Sequence, residues 1–411
     1  MSVTMTITTV MVVGIAFLLT ACPHPQVTPP PSFPPSWETL IRKGDIEQEY
    51  WRYAEAEYYY SQAVTRAQEF GAEDARLARS LRSLSSVISR RGNYASARAY
   101  AEQALGMYRH LFGAESGEVG MTESMLGNIA GDHGSLGEAK QLYTQSQRHI
   151  AAAYGPQDPR LGEPMMGLAS LYLMTNRVGE AESLVRQVVT LWEKSENPDP
   201  AKLCLALRHL GALLLTQNRR DEAEPILKRS YETAQKRLGD NHPQTAAGLS
   251  TLAALHVVRG HPEEAEPLYR QVIHMVERSS GTSHPEVAVA LTNHAEALFA
   301  ITHYAHAEQQ LRRAIAIYEQ QTGPSSTKLA NALVSLAVAV WKQGGTDAEP
   351  LFTRGLTLTE STYGPDHLAL AKALGLYAQF LRDQNRNAEA NAFAEKAESI
   401  RAKSTPGHST S

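Results

Sequence analysis

Residues 219–256 read RRDEAEPILKRSYETAQKRLGDNHPQTAAGLSTLAALH, and residues 260–298 read GHPEEAEPLYRQVIHMVERSSGTSHPEVAVALTNHAEAL. The second stretch follows the pattern of the first at a distance of 42 residues, so that the Ala-Glu-Pro at Ala223 matches the one at Ala265. Self-similarity at a fixed period of about 20–50 residues is typical of repeat architectures. The chain is therefore predicted to be an array of similar units.

The same period extends over most of the chain. An alanine recurs at intervals of 41 or 42 residues, at Ala56, Ala97, Ala139, Ala181, Ala223, Ala265, Ala307, Ala348 and Ala390. A small residue stands twelve positions before each alanine, or eleven in the eighth unit, at Gly44, Ser85, Gly127, Ala169, Gly211, Ala253, Ala295, Ala337 and Ala378. These two columns define nine units.

Each unit has the pattern of two short helices. In the fifth unit Leu207, Leu210 and Leu214 surround Gly211 at helical spacing, which predicts a helix with an apolar stripe. The small residue lets a second helix approach closely, and a glycine such as Gly260 marks the turn between the two helices. Because so short a pair cannot bury its own apolar face, the units are expected to stack into a solenoid with one continuous core.

This pattern resembles the tetratricopeptide repeat, in the 42-residue form found in kinesin light chains. The resemblance covers about Trp37 to Ala402. It implies an all-α, right-handed superhelical solenoid of about nine helix-turn-helix repeats over residues 37–403. It also implies that the first helices of the repeats line a concave groove in which peptides or partner helices bind.

The N-terminus has the features of a targeting signal. Residues 1–21 contain an apolar stretch that is too short to span a bilayer, and Leu19-Thr20-Ala21-Cys22 resembles the bacterial lipobox. The resemblance implies cleavage before Cys22 and lipidation of that cysteine. Pro23, the residue after this cysteine, favours location of the protein in the outer membrane, facing the periplasm. Residues 1–21 contain no Lys or Arg, which departs from the usual signal-peptide pattern and points to a misassigned start codon or a weak signal. The alternative is an uncleaved anchor with Cys22 as a bystander.

The residues at both ends of the mature chain have the composition of linkers rather than of folded repeats. Residues 22–36 contain seven prolines, which favour an extended polyproline II tether between the lipid and the solenoid. Residues 404–411 are predicted to be a disordered tail.

The family places certain positions of each first helix on the groove wall, and these positions give the candidate binding residues. The candidates are Arg79, Arg82, Arg90, Asn128, Met166, Leu173, Met174, Leu215, Val258, Phe299, Asn331 and Trp341. The arginines suit a carboxylate or an acidic segment, and the apolar members suit an apolar or amphipathic segment. The alternatives are a solvated charged face for the arginines and tight packing between first helices inside a closed superhelix for the apolar residues.

An aromatic run in the first unit comprises Tyr50, Trp51, Tyr53, Tyr58, Tyr59 and Tyr60. Part of this run is expected in the core of the unit. The surplus aromatic side chains are candidates for contact with a membrane interface or a partner.

The composition excludes several classes of protein. Of 411 residues, 39 are Lys or Arg and 43 are Asp or Glu, so the net charge of −4 argues against a dedicated nucleic-acid binder. Two cysteines exclude a disulfide scaffold and a four-cysteine zinc site. His242, His284 and His367 recur at one repeat position, which favours helix capping over metal binding. No metal and no cofactor is expected.

The chemistry of catalysis is not apparent in the sequence. It contains no H-E-x-x-H, phosphate-loop or G-x-S-x-G motif. Cys204 is expected to be a buried thiol rather than a nucleophile, because His209 five residues later does not align with it on a helix.

The sequence therefore favours a non-catalytic scaffold that is anchored by lipid in the bacterial envelope and docks partner proteins in its groove. Outer-membrane assembly, pilus or secretin biogenesis and polysaccharide export are the settings that similar lipoproteins suggest. The alternative function is a receptor for a peptide or small molecule, with a cavity lined by Met166, Met174, Val258 and Phe299.

Overall fold

The computed structural model describes residues 35–321 and 327–404. Within them the chain forms eighteen α-helices, one 3-10 turn at Pro159–Leu161 and no β-strand. All of these helices belong to one compact unit that begins at Trp37. None of them is both long enough and apolar enough to cross a membrane. The predicted signal peptide, Cys22, most of the tether and residues 405–411 lie outside the described residues.

The helices follow one another as nine pairs. They are α1 (Trp37–Glu49) and α2 (Tyr53–Gln68), α3 (Ala75–Arg90) and α4 (Tyr94–Phe112), α5 (Gly117–Asp132) and α6 (Leu136–Tyr154), α7 (Gly162–Met174) and α8 (Val178–Glu193), α9 (Pro200–Thr216) and α10 (Arg220–Leu238), α11 (Pro243–Val258) and α12 (Pro262–Ser280), α13 (Pro285–Ala300) and α14 (Tyr304–Gln321), α15 (Thr327–Lys342) and α16 (Ala348–Tyr363), and α17 (Leu368–Asp383) and α18 (Asn387–Ser404). Each pair contains one alanine of the repeating column, in its second helix. The predicted right-handed solenoid of about nine repeats is confirmed.

The first helix of a pair lies deeper in the solenoid than the second. Eight residues of α9 are buried, whereas only four of the longer α10 are buried. A helix that buries more than one face must contact neighbours on more than one side. The first helices therefore form the inner layer, and each second helix covers them from outside.

The small residues of the first helices are needed where the second helix crosses. A Cβ atom added at Gly127 would lie 2.7 Å from the ring of Tyr143, and one added at Gly167 in the next unit would lie 2.3 Å from the same ring. Carbon atoms pack best at about 3.5–4.0 Å. The Tyr143 hydroxyl also donates to Asn128 Oδ1 at 2.7 Å, so the ring is fixed on three sides. Close approach of the helices therefore depends on glycine at both positions.

Two glycine-to-alanine substitutions are expected to change stability in opposite directions. Gly127→Ala should lower the free energy of unfolding by about 1–3 kcal/mol, because the fixed Tyr143 ring leaves no room for a methyl group. Gly106→Ala, in the middle of α4, should raise it by about 0.5–1 kcal/mol, because nothing lies within 4 Å of the added Cβ and alanine favours the helix. Denaturant midpoints of the two variants measure the difference. A loss of equal size in both would contradict the close-approach explanation.

The turns inside the pairs adopt the left-handed backbone conformation that their residues favour. Gly92 has a φ of 84° and Asn176 has a φ of 59° at the same repeat position. Thr302 and Trp51 occupy this position in two other units with φ values of 59° and 61°. Side chains as bulky as these rarely adopt positive φ, so both turns carry backbone strain that the residue types do not predict.

The recurring histidines cap first helices, as their repeat position predicts. In each case the Nδ1 atom accepts a hydrogen bond from the backbone N–H two residues later, at 3.1 Å for His242, 3.2 Å for His284 and 3.1 Å for His367. Ser116 holds the same position in the third unit without a side-chain capping bond, and its hydroxyl is buried. Helix capping is therefore confirmed for the three histidines and absent at this serine.

The apolar core is divided rather than continuous. One large cluster of buried residues runs from Trp37 to Ile129, a second from Ala169 to Leu255 and a third from Ala246 to Ala390. Only small clusters lie between the first and the second. Helix α5, at this break, buries Glu123 at a position where the other units have leucine or methionine. The polar side chains of the third unit thus interrupt the core that the repeat pattern predicts as unbroken.

Candidate functional site

The candidate binding residues lie on the first helices. Some of them already bond to other residues of the chain, and others are accessible to a partner. Two of the three arginines make ion pairs with neighbouring units. Arg82 Nη1 donates to Glu118 Oε2 at 2.7 Å, and Arg79 Nη2 lies 3.7 Å from Asp45 Oδ2. Arg90 is exposed, and no carboxylate of the described residues lies within 4.0 Å of its guanidinium. Arg79 and Arg82 therefore connect adjacent units, while Arg90 remains accessible.

Asn128 is partly engaged in the fold, and Asn331 is exposed. Asn128 Oδ1 accepts the Tyr143 hydroxyl at 2.7 Å, as Asp45 Oδ1 accepts the Tyr60 hydroxyl at the same repeat position. Tyr143 and Tyr60 each lie on the second helix of their unit. Each therefore reaches between the first helices and holds a polar side chain of the inner layer by a hydrogen bond.

Six apolar side chains at matching positions form a surface that we name the inner apolar stripe. It consists of Leu173, Met174, Leu215, Val257, Val258 and Phe299, near the C-terminal ends of α7, α9, α11 and α13. The exposed fractions are 41% for Leu173, 63% for Met174 and 41% for Val258, and the other three side chains are half-buried. Met166, the remaining apolar candidate of the fourth unit, is also half-buried. Accessible apolar side chains in register over several units indicate a contact surface.

The stripe ends in the eighth unit. Trp341 is only 9% exposed, and the edge of its ring meets Phe380 of the ninth unit with centroids 6.0 Å apart. Lys342 Nζ lies 3.6 Å from the centroid of the Trp341 ring. This tryptophan therefore packs in the core and presents little surface to a partner.

The first unit contacts the sixth and seventh units through a set of residues that we name the clasp. On one side are Glu49, Tyr50, Trp51 and Arg52, and on the other are His242, Ser279, Ser280 and His284. The partners are separated by 193 to 233 residues, or between four and six repeats. The solenoid therefore returns to itself after one superhelical turn.

Most of the clasp consists of hydrogen bonds to backbone carbonyls. Arg52 Nη2 and Nε donate to Ser279 O at 2.6 and 3.0 Å, and Ser280 Oγ donates to Tyr50 O at 3.3 Å. His284 Nε2 donates to Trp51 O at 3.0 Å, since its Nδ1 already accepts the helix cap. Tyr50 and Trp51 thus bond to a later part of their own chain through backbone carbonyls, and the Tyr50 ring also meets the His242 ring with centroids 5.4 Å apart.

Arg208 is a residue of the inner layer that the sequence pattern did not single out. It lies on α9, and its Nη2 donates to Gln244 Oε1 at 3.4 Å. Its Nε atom is buried and has no hydrogen-bond partner. Burial lowers the pKa of the Arg208 guanidinium, and the Glu286 carboxylate partly opposes this change. The repeat position that it shares with Arg82 is the signal that points to it.

Cys204 has the environment of a structural thiol. It is 1% exposed, and burial raises the pKa of the thiol to about 11. Its carbonyl oxygen accepts the Ser230 hydroxyl at 2.9 Å. Since the thiolate is the nucleophile, a thiol with so high a pKa is inert near neutral pH.

One group of described residues has the donor spacing of a metal site. Ligating atoms of His261, Glu263 and Glu264 lie within 4.8 Å of one another, and all three side chains are exposed. His256 Nδ1 lies 2.9 Å from Glu264 Oε2. The arrangement is an exposed set of ion pairs at the start of α12, and such sets are common without metal.

Comparison with known proteins identifies the repeat. The model of the tetratricopeptide repeat family matches residues 38–110, 202–278, 263–320 and 328–403, which together exceed half of the chain. No curated protein matches the chain.

Several solved structures have a similar fold. A Rap protein complexed with Competence and Sporulation Factor is 14% identical over 89% of this chain and 96% of that chain, with a TM-score of 0.59. Aspartyl phosphate phosphatase F from Bacillus subtilis is 13% identical over 92% and 96%, with a TM-score of 0.54. A kinesin light chain repeat protein of Podosopora anserina is 20% identical over 51% and 100%, with a TM-score of 0.43. The chain belongs to the tetratricopeptide repeat family, as its period of about 42 residues predicts.

Proposed function

We propose that this protein is a non-catalytic scaffold that binds a segment of a partner protein on its inner wall, the surface formed by the first helices. The observation that carries the proposal is the inner apolar stripe. Its side chains recur at two adjacent repeat positions, and three of them are at least 41% exposed. Methionine and branched side chains on such a surface adapt to an apolar or amphipathic segment.

A receptor for a short peptide or another small ligand is the second candidate. The clasp supports it, because a wall that closes on itself suits a ligand smaller than a folded domain. A Rap protein of similar fold was solved complexed with Competence and Sporulation Factor. In this function Met166, Met174, Val258 and Phe299 would line the ligand site.

We further propose that the protein is anchored by lipid at Cys22 in the outer membrane of a bacterial envelope and faces the periplasm. The lipobox-like Leu19-Thr20-Ala21-Cys22 and the proline-rich stretch that follows it support this location. Cys22→Ala should move the full chain from the membrane fraction to the soluble fraction. A purified wild-type chain whose intact mass shows no acyl groups on Cys22 would contradict lipid anchoring.

Affinity capture from envelope extract tests the scaffold function. The full chain is compared with Met174→Asp/Val258→Asp and with a control, Lys228→Asp/Glu232→Lys, on the outer helix α10. A partner that the wild type and the control retain, and that the stripe variant loses at least tenfold, would support binding on the inner wall. Equal retention by all three proteins would contradict it.

A further inference from the structure

Exposed aromatic side chains lie along one edge of the first three units, where each second helix ends and the next first helix begins. Phe70, Phe112 and Tyr154 each stand directly before a glycine, at a spacing of 42 residues. They are 45%, 51% and 40% exposed, and among the described residues Tyr58 is the one other exposed aromatic side chain. We name this surface the aromatic edge. Exposed rings in register over three units indicate a contact surface.

Each ring of the aromatic edge is held in place by its own chain. The Arg76 guanidinium lies 3.3 Å from the centroid of the Phe70 ring. Arg160 lies over the Tyr154 ring in the same way, at 4.0 Å. The Phe112 ring stacks on the tyrosine four residues before it, with centroids 6.0 Å apart. Because the rings are already fixed, they lose little conformational freedom when another surface covers them.

The charges at the aromatic edge compensate one another. Asp74 and Asp158 each accept a hydrogen bond of 2.9 Å from the arginine that lies over the neighbouring ring. Farther along the edge, Arg148 Nη2 lies 3.9 Å from Glu115 Oε1. An edge with exposed rings and paired charges suits a surface without strong net charge.

The aromatic edge faces away from the next turn of the superhelix. The opposite edge of the first unit, at Tyr50 and Trp51, bonds to the later units through the clasp. Those units take part with the edge at Ser280 and His284, and Ser280 occupies the repeat position of Phe70 five units later. Where the solenoid covers this position with its own chain, the residue is therefore a small polar one. The rings stand where the position is uncovered.

The chain enters the solenoid at this same edge. Helix α1 begins at Trp37, whose Nε1 donates to Ser80 Oγ in the first half of α3 at 2.8 Å. Fourteen residues separate Trp37 from Cys22. When fully extended, they span at most about 50 Å. A lipid at Cys22 would therefore keep the aromatic edge within reach of the bilayer and raise its local concentration there.

We propose that the aromatic edge binds the surface of a lipid bilayer, with the rings of Phe70, Phe112 and Tyr154 at the level of the head groups. Aromatic side chains suit this level because membrane interfaces are apolar on one side and wet on the other. The inference rests on the proposed lipid anchor and adds the orientation of the solenoid. The aromatic edge lies on the membrane, and the edge that carries the turns inside the pairs faces away from it.

Fluorescent labels at the two edges test this orientation. In the full chain with Cys22→Ala, the remaining Cys204 is buried, so a cysteine-reactive NBD dye labels Ala114→Cys, beside Phe112, or the control Ala95→Cys, at the opposite edge. Both alanines are exposed. With an excess of phosphatidylcholine vesicles that carry a nitroxide at the head group, the label at position 114 should be quenched and the label at position 95 should not. Both proteins have the same N-terminal segment, so the contrast between them reports the edge.

Two variants connect the quenching to the rings. Phe70→Ser/Phe112→Ser should lower the quenching at position 114 to the level at position 95, because the edge then has little apolar surface to bury. Tyr58→Ser removes an exposed ring of α2 outside the edge and should leave the contrast unchanged. Circular dichroism should show the same helicity in both variants.

Equal quenching at positions 114 and 95, or a contrast that persists in Phe70→Ser/Phe112→Ser, would overturn the proposal. So would a contrast that appears only when phosphatidylglycerol is added, since the charges of the edge are paired. Sedimentation velocity identifies another occupant, because a dimer that Phe70→Ser/Phe112→Ser dissociates would assign the edge to a second copy of the chain. Acylation of Cys22 and capture of a partner are measured separately, so the proposed anchor and scaffold function can stand if the aromatic edge fails.

Discussion

His149→Leu is expected to lower the free energy of unfolding by about 3–5 kcal/mol, because it removes one partner from a buried polar cluster. Glu123 is buried in α5, and its Oε2 accepts His149 Nδ1–H at 2.8 Å. His149 Nε2 accepts from Arg148 Nη2 at 3.0 Å, and Arg109 Nη2 lies 3.5 Å from Glu123 Oε1. The imidazole therefore bridges Arg148 and a carboxylate that has little access to water.

The repeat itself provides the control. The position of Glu123 is held in the other units by Leu40, Leu81, Met165, Leu207, Leu249, Leu291, Leu333 and Leu374. Glu123→Leu/His149→Leu should therefore recover most of the lost stability, since well-packed apolar residues often replace buried ion pairs without loss. Glu123→Leu alone should cost less than His149→Leu, because the imidazole left behind keeps its hydrogen bond with Arg148 Nη2, whereas the buried carboxylate left behind loses its 2.8 Å donor. Calorimetric thermal midpoints distinguish these cases, and a double variant as unstable as His149→Leu would contradict the explanation.

Arg52→Ala/His284→Asp is expected to open the first turn of the superhelix while the helices remain intact. Aspartate at position 284 keeps the helix cap but has no proton to donate to Trp51 O, and alanine at position 52 removes both bonds to Ser279 O. The lost bonds contribute about 2–4 kcal/mol, which is roughly a 30- to 1,000-fold change in the ratio of closed to open molecules.

Small-angle scattering should show a larger radius of gyration for this variant, and hydrogen exchange should increase at Tyr50 to Tyr53. Arg98→Ala is the control, since Arg98 connects adjacent units through Glu138 at 2.7 Å and is not part of the clasp. Helical circular dichroism should be unchanged in both variants. A radius of gyration equal to that of the wild type in Arg52→Ala/His284→Asp would show that the clasp does not hold the turn closed.

Local spacing predicts the helices well because each unit depends mostly on its own residues and its neighbours. The glycine at position 127 and the alanine at position 139 mark where two helices cross, and the structure places both there. The repeat places Glu123 in a column of core leucines, but the spacing does not identify the side chains that satisfy its buried carboxylate. Its partner His149 lies 26 residues later, and no periodic signal connects them.

The sequence predicts the candidate binding site less completely than it predicts the helices. Leu173, Leu215 and Phe299 recur at one repeat position, so these apolar members of the inner wall are recognisable from sequence. Whether a side chain at such a position is accessible depends on the next unit, and Phe380 covers Trp341. The clasp forms because a small rotation between successive units adds up over several repeats. The sequence of a single unit does not specify this rotation.

Site-specific photocrosslinking determines whether a partner segment binds on the inner wall. p-Benzoylphenylalanine is placed at Leu215 on α9 or, as the control, at Lys228 on α10, in the full chain within its native cells. We expect a discrete adduct from position 215 that is lost when Met174→Asp/Val258→Asp is added, and none from position 228. A discrete adduct from position 228 and none from position 215 would contradict it.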